Sequence, residues 1–219
     1  MAKQYKSKPS SFFMMSVICL LGFMTEFLML QIEQALYSKH YYSFTITESI
    51  MHWILVCILW GLISFMMFYT AVRVFSFDIS KRKNIPRKKG LAACLLLIIG
   101  AVVLKIEIYG GWKIQLDFMK SGWFQFIFQY IYYLFEVFLT AITITMLQEW
   151  CERIFKIKSI PYGGIIFALT WGASHIVTQG SILIGICYII LSVMFGMAYL
   201  FTNKNLLLTS LVIALLFLL

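Results

Sequence analysis

Long apolar segments separated by short polar linkers make up most of the chain. Seven such segments follow one another: Phe12 to about Leu30, about Ile50 to Phe75, Leu91 to about Ile108, about Trp123 through Met146 and on into QEWCERIF, Tyr162 to about Thr178, Ile182 to Phe201, and Leu206 to Leu219. A helix needs ~20 apolar residues to cross the hydrocarbon core of a bilayer. The pattern therefore predicts an all-α, polytopic membrane bundle of about seven transmembrane helices.

These segments predict a single integral membrane domain over residues 1–219. Residues 1–120 would form a three-helix N-terminal scaffold, and residues 121–219 would form a core that holds most of the polar chemistry. The first apolar run has no small-residue cleavage site after it, which indicates a retained helix rather than a signal peptide. The last segment would span only ~21 Å of the ~30 Å hydrocarbon core.

The composition agrees with a membrane protein, because 62% of the residues are hydrophobic and only 12% are charged. A soluble domain of this length could not bury so much apolar surface. We therefore expect a multi-pass protein of the cell membrane, in contact with lipid. The net charge of +9 would favour nucleic-acid binding in a soluble chain. Here the basic residues cluster between apolar segments, where they indicate topology and no nucleic-acid partner.

The distribution of Lys and Arg predicts a cytoplasmic N-terminus. Seven crossings would place fourteen of these residues on one side: Lys3, Lys6, Lys8, Arg73, the six from Lys81 to Lys89, Arg153, Lys156, Lys158 and Lys204. The other side would keep Lys39, Lys105, Lys113 and Lys120. Cytoplasmic loops carry the excess of basic residues in membrane proteins, so the C-terminus is predicted to lie outside.

Cysteine and histidine usage gives no sign of a metal site. The five cysteines lie inside apolar segments and lack the paired spacing of zinc or redox sites, so we interpret them as small core residues. One His and two Glu in the main polar stretch are too few to indicate zinc. The sequence predicts no metal and no cofactor.

Ionisable residues inside apolar segments are candidate functional groups, because a charged side chain at mid-membrane costs at least ~3 kcal/mol. Glu26 and Glu136 lie well inside the first and fourth segments. Each is either a protonated core carboxyl or the partner of a basic group. Thr140 and Thr143 share a helix face with Glu136, where threonines commonly bond the carbonyl four residues back, and this favours a helix contact.

The richest polar stretch runs from Leu147 to Ser181. Near its start Glu149 precedes Arg153 by four residues, the favourable order for an ion pair, whereas Glu149 and Glu152 are three apart and repel. Arg153 would hold one Glu ionised while the pKa of the other rises. A general base requires such a separation of the two pKa values. The alternative is that these residues form the hydrated cytoplasmic end of the fourth helix.

A histidine lies deep in the next segment. His175 is about fourteen residues past Pro161, hence ~20 Å into the bilayer, with Trp171 one turn before it and Thr178 and Gln179 just after. It is either a satisfied core histidine or part of a polar cavity, of which Thr178 and Gln179 would form the floor. Those two residues would otherwise form a short external turn. Glycines in the fifth and sixth segments would let these helices approach their neighbours closely.

Two motifs in this stretch resemble those of the CPBP or Abi family of intramembrane glutamic-type proteases. That family comprises CAAX-prenyl endopeptidases and bacteriocin-processing or immunity proteins. The sequence Gln148-Glu149-x-x-x-Arg153 is similar to the first motif, E-E-x-x-x-R, and Trp171-x-x-x-His175 is similar to the second, F-x-x-x-H.

The resemblance covers roughly residues 136–219 and implies roles for several side chains. Glu149 and His175 would together activate a water for peptide hydrolysis, within reach of one bridging water. Arg153 would be the ion-pair partner, and Glu152 an extra carboxylate near the site.

The chain departs from the family pattern at two places. Gln148 stands where the family has the first Glu and cannot take a proton, so the general-base role falls to Glu149 or Glu152. The third motif, H-x-x-x-N or D, is absent, because the segment NKNLLLTSLVIALLFLL contains no His. Its uncharged polar residues, of which Asn205 is the candidate supporting residue, are Asn203, Asn205, Thr209 and Ser210.

Three functions follow as hypotheses. The first is an intramembrane endopeptidase that cleaves a membrane-associated peptide or a prenylated or leader-bearing protein. The second is a catalytically inactive relative that acts as a bacteriocin-immunity or scaffolding membrane protein, which the altered first motif and the missing third motif favour. The third is a small transporter in which Glu26 and Glu136 relay protons, although no broken helix pair or repeated half marks one.

Overall fold

The computed structural model describes residues 8–81 and 84–219, and within these ranges every regular element is a helix. The helices are α1 (Pro9–Tyr37), α2 (Ile46–Tyr69) with a π-helical turn (Thr70–Val74), α3 (Lys88–Tyr109), α4 (Lys113–Phe155), α5 (Tyr162–Phe167), a second π-helical turn (Ala168–Gly172), α6 (Ala173–Thr178), α7 (Ile182–Phe201) and α8 (Leu206–Leu218). A short 3-10 turn, Tyr41–Ser43, follows α1.

The predicted all-α class is confirmed, and the apolar helices are compatible with a membrane protein. Within the described ranges, five helices are long and apolar enough to cross a membrane: α1, α2 with its π turn, α3, α4 and α7. The segment formed by α5, the second π turn and α6 runs without a break, because the joining residues keep helical dihedral angles. It and α8 are shorter.

Helix α4 lies at the centre of the bundle and contacts α1, α2, α3, α5, α7 and α8. In its most apolar stretch 67% of the residues are buried, compared with 17% in α3. Every residue from Leu139 to Glu149 is buried, as expected for a helix that is surrounded by others. Gly122, with φ 68° and ψ 167°, breaks the helix where the fourth apolar segment was predicted to begin.

Local hydrogen bonds keep the threonines of α4 inside this apolar surrounding. Thr143 Oγ1 donates to the carbonyl of Leu139 at 2.7 Å, and Thr145 Oγ1 donates to that of Ala141 at 2.8 Å. The Thr143 bond is the one to the carbonyl four residues back that the sequence predicts for threonines on the Glu136 face, and neither of these two hydroxyls is left unsatisfied.

Glycines allow close contact between the α5–α6 segment and α7. A Cβ added to Gly164 would lie 2.7 Å from Cα of Gly196, and one added to Gly172 would lie 2.9 Å from Ser192 Oγ. Such small residues let helix backbones touch in a membrane, where lipid removes the usual hydrophobic drive for association. The predicted close approach is therefore confirmed, and it fixes the position of Trp171 in the π turn.

We expect Gly164→Ala to destabilise the bundle by about 1–3 kcal/mol, because the added methyl group overlaps the backbone of α7. Thermal unfolding in detergent, followed by circular dichroism, measures the loss. The matched control is Gly100→Ala in α3, whose Cβ would meet only Met194 Cε at 3.9 Å. That control should unfold at or above the wild-type temperature, since Ala favours helix over Gly by up to ~1 kcal/mol. Equal midpoints for the two variants would contradict the packing.

Candidate functional site

The Glu149 carboxylate is held by two cations at one end of the bundle. Lys81 Nζ donates to Glu149 Oε1, and Arg153 Nε lies 3.7 Å from Glu149 Oε2. The Arg153 guanidinium also lies over the Phe12 ring, 4.2 Å from its centroid. The predicted Glu149–Arg153 pair is therefore confirmed, and Lys81 is an additional partner from the linker between α2 and α3.

Glu152 is paired in the same way with a different lysine. Lys204 Nζ, from the turn between α7 and α8, donates to Glu152 Oε2, and Gln148 Nε2 donates to Glu152 Oε1 at 2.8 Å. Both carboxyls of α4 at this end are thus matched by lysines that reach in from other segments. We call the end of the bundle that holds Lys81, Glu149, Glu152, Arg153 and Lys204 the basic end.

Gln148 joins α4 to the start of α5. Its Nε2 also donates to the carbonyl of Ile160 at 2.8 Å, and its Oε1 accepts from the backbone N–H of Gly163 at 2.9 Å. The side chain is fully buried. An amide suits this position because it donates on one side and accepts on the other. A carboxylate, as in the family motif that the stretch resembles, would only accept.

A turn in the α2–α3 linker delivers Lys81 to Glu149. Asp78 Oδ1 accepts from Ser80 Oγ at 2.7 Å and from the backbone N–H of Lys81 at 3.0 Å. The hydrogen bond from Ser80, and to a smaller extent the one from Lys81, holds the pKa of Asp78 below its ordinary value. The Ser80 carbonyl accepts from the N–H of Leu206 at 3.0 Å, which fastens the turn to the start of α8. Of the basic residues counted for topology, Lys3, Lys6, Arg82 and Lys83 lie outside the described residues.

Asn205, the candidate supporting residue, also lies at the basic end. Its Oδ1 accepts from the N–H of Leu208 at 3.2 Å and so caps α8, and its Nδ2 donates to the Asn84 carbonyl at 3.3 Å. These contacts are structural ones, and they place the side chain at the opposite end of the bundle from His175.

The structure does not bring Glu149 and His175 together. Gln148, the neighbour of Glu149, is bonded to Gly163, and His175 lies twelve residues further along the α5–α6 segment, hence ~18 Å along its axis. The expected water-bridged pair of Glu149 and His175 is therefore not formed. The physical reason is that α4 and the α5–α6 segment run antiparallel from the short loop that joins them.

His175 instead lines a cavity at the other end of the bundle. The cavity has a volume of about 360 Å³ and lies between α1, α4, the α5–α6 segment and the turn after α1. We call it the acidic cavity, because two carboxyls line it. Its polar and aromatic lining includes Glu26, Tyr132, Glu136, Trp171, Ser174, His175, Thr178 and Gln179.

Trp171 connects the two walls of the acidic cavity. Its Nε1 donates to Glu136 Oε1 at 3.2 Å, and its ring lies 4.3 Å from the ring of His175, centroid to centroid. The Trp171 carbonyl accepts from His175 Nδ1 at 2.8 Å, which leaves Nε2 as the acceptor of the neutral ring. The His175 ring also stacks on Tyr188, with the ring centroids 3.9 Å apart. The π turn that contains Trp171 is of a kind often found at functional sites.

Glu26 is the second carboxyl of the cavity and belongs to a buried network. Tyr132 Oη donates to Glu26 Oε1 at 2.7 Å, and His52 Nε2 lies 3.9 Å from the same oxygen. The other nitrogen of that ring, His52 Nδ1, lies 2.6 Å from Glu33 Oε2. The sequence left two alternatives for each of these carboxyls, a protonated core group or the partner of a basic group, and Glu26 has a basic partner in His52. Glu136 is hydrogen-bonded to an indole.

Sequence reasoning missed the parts of this site that come from α1, α2 and the first half of α4. Glu33, His52 and Tyr132 were not singled out, although each is buried. The available signal was the same one that identified Glu26, namely an ionisable side chain within an apolar run. Thr178 and Gln179 do line a cavity together with His175.

Comparisons of the chain with protein-family models, with curated proteins and with solved structures gave no match. Within residues 8–81 and 84–219, no group of three or more His, Cys, Asp and Glu side chains is arranged to hold a metal ion. The chemistry of the site therefore has to be argued from its own side chains.

We expect Gln148→Glu to destabilise the protein by about 1–3 kcal/mol at neutral pH, because the new carboxylate would face Glu152 and the Ile160 carbonyl without a proton to donate. Thermal unfolding in detergent measures the change. Gln115→Glu is the matched control, since Gln115 is exposed and should tolerate the substitution. If Q148E is as stable as Q115E, the joining role assigned to Gln148 is wrong.

Proposed function

We propose that this chain is a multi-spanning membrane protein that binds a membrane-associated peptide in the acidic cavity, and that it does not hydrolyse peptides with Glu149. The observation that supports this proposal is the separation of the two half-motifs. Glu149 and Glu152 are neutralised by Lys81 and Lys204, whereas His175 lies ~18 Å away along its helix. The function corresponds to the inactive, immunity-type branch of the family that the sequence resembles.

The acidic cavity has the properties of a ligand site. Its volume, about 360 Å³, lies within the ~300–1,000 Å³ typical of binding pockets. Its lining combines aromatic rings with a similar number of polar side chains, and convergent polar groups are what orient a ligand in a pocket. A peptide side chain or terminus fits a cavity of this size.

The proposal includes an orientation with seven crossings and the basic end in the cytoplasm. The α5–α6 segment and α8 would add two shorter crossings to the five long helices. Most of the described basic residues of the linkers then collect at the basic end, with Lys39 at the external end, as the excess of Lys and Arg in cytoplasmic loops favours. The acidic cavity, which includes the turn after α1 and the residues after α6, would open towards the external face.

A second candidate function is peptide hydrolysis inside the acidic cavity itself. Glu136 and His175 both line it and both contact Trp171, so a carboxyl and an imidazole flank one water-accessible space. A carboxyl and an imidazole held around a water are the parts of a general-base mechanism. In that case Glu136 takes the role that the resemblance assigns to Glu149.

A binding experiment with cavity-filling variants tests the proposed function. The purified protein in nanodiscs is titrated into a fluorescein-labelled amphipathic helical peptide made of leucine and lysine, and fluorescence anisotropy reports binding. Ser174→Trp fills the cavity and should weaken binding by roughly tenfold or more. Thr170→Trp, at an exposed position of the adjacent turn, is the matched control and should bind as the wild type does.

The same peptide, recovered after incubation and analysed by mass spectrometry, distinguishes binding from hydrolysis. The proposal predicts an intact peptide and unchanged binding by Glu149→Gln. Cleavage that is lost in E149Q would overturn the proposal in favour of the family mechanism. Cleavage that survives in E149Q and disappears in Glu136→Gln would support hydrolysis in the acidic cavity. Equal binding by S174W and the wild type would remove the cavity as the binding site.

A further inference from the structure

The acidic cavity contains carboxyls but no lysine or arginine. Among its described lining residues, Glu26 and Glu136 are acidic, and the only side chains able to carry a positive charge are His40 and His175. This contrasts with the basic end, where each α4 carboxyl has a lysine. Glu26 has His52 beside it at 3.9 Å, whereas no described lysine, arginine or histidine forms an ion pair with Glu136. A carboxylate buried without a cation is costly, so the cavity has an unmet requirement for positive charge at Glu136.

The surroundings of Glu136 show where in the cavity a positive charge is needed. Only 7% of the residue surface is exposed, and within the described chain the Trp171 indole is its only hydrogen-bond donor. A carboxylate offers about four lone-pair positions on two oxygens. No described residue donates a hydrogen bond to the second oxygen of Glu136, Oε2. The Glu136 side chain lines the cavity. Glu136 therefore keeps an unbonded oxygen, on a residue that is more than nine-tenths buried, beside a space large enough for a ligand.

Aromatic rings complete the surroundings of the two carboxyls. The cavity is lined by the rings of Phe23, Trp53, Tyr132, Tyr133, Trp171 and Tyr188. The faces of aromatic rings attract cations through their quadrupole, most strongly where water is excluded. Rings together with carboxylates form a site for an ammonium group, whereas a neutral ligand would gain hydrogen bonds at most and no charge–charge attraction from the two acids.

We propose that the acidic cavity binds a primary alkylammonium group, namely a lysine side chain or the amino terminus of a peptide. The ammonium donates to the unbonded oxygen of Glu136 and lies within the field of Glu26, with the aromatic rings around its carbon chain. This inference rests on the proposed function for its peptide source, while ammonium binding itself does not depend on it. It explains why the cavity has acids at its centre and tyrosine and tryptophan at its wall.

Small probes test the inference directly in n-dodecyl maltoside, a detergent without charge. Isothermal titration calorimetry compares n-butylammonium, which mimics a lysine side chain, with 1-butanol, its neutral analogue. The wild type should prefer butylammonium by roughly tenfold or more. Glu136→Gln and Glu26→Gln should each reduce that preference, since both amides can still accept from Trp171 and Tyr132 and so preserve the fold. Glu107→Gln, at an exposed position of α3, should retain it.

Equal affinity for butylammonium and butanol would overturn the inference, as would an undiminished preference in the Glu26→Gln/Glu136→Gln double variant. Tetramethylammonium, a mimic of the choline headgroup, forms a separate arm. If tetramethylammonium binds more weakly than butylammonium, the result supports a peptide amine as the ligand. If it binds more tightly, the result overturns the peptide source in favour of a lipid headgroup. Butylammonium binding without binding of the leucine–lysine peptide would leave the ammonium site intact and overturn the proposed peptide function.

Discussion

The bundle depends on how the three glutamates of α4, Glu136, Glu149 and Glu152, are matched. A charged group at mid-membrane costs at least ~3 kcal/mol, so each carboxyl on the most buried helix must meet a partner. Glu149 and Glu152 meet Lys81 and Lys204, and these contacts draw the α2–α3 linker and the α7–α8 turn over the end of α4. Glu136 meets only the Trp171 indole. The helix therefore has a neutralised end and an acidic middle.

Close helix packing at glycines shapes the acidic cavity. Because Gly164 and Gly172 let the α5–α6 segment lie directly against α7, that segment stays close enough to α4 for Trp171 to reach Glu136. Helix α6, which follows the π turn, then presents His175 to the same space, where its ring stacks on Tyr188 of α7. The cavity is thus a consequence of backbone packing on one side and of the buried Glu26 network of α1 and α2 on the other.

The apolar pattern was sufficient to predict the helical class and most helix boundaries. Helix α7 occupies Ile182–Phe201, as the sequence indicates, and the Glu149–Arg153 pair follows from a spacing of four residues on one helix. The partners of the site could not be predicted in the same way. Lys81 lies 68 residues from Glu149, and Trp171 lies 35 residues from Glu136, so both contacts depend on tertiary packing that no local pattern encodes.

The resemblance to an intramembrane protease joined Glu149 and His175 because their motifs are adjacent in sequence. In three dimensions, adjacent antiparallel helices bring together the residues nearest their shared loop, so Gln148 meets Gly163 and His175 is carried away from that end. Glu136, thirteen residues before Glu149 on α4, is at the level of Trp171 instead. A motif read along the chain therefore joined two side chains that the helix packing keeps apart.

Double electron–electron resonance between spin labels at Ile154→Cys and Val177→Cys, with the five native cysteines replaced, tests this arrangement most directly. Both positions are exposed and avoid the polar network. The bonded Gln148 and Gly163 fix the register of the two helices, so the labels should lie ~30 Å apart along the bundle axis. If Glu149 and His175 shared a bridging water, the axial separation would be only ~10 Å, and such a distance would contradict the structure described for this site.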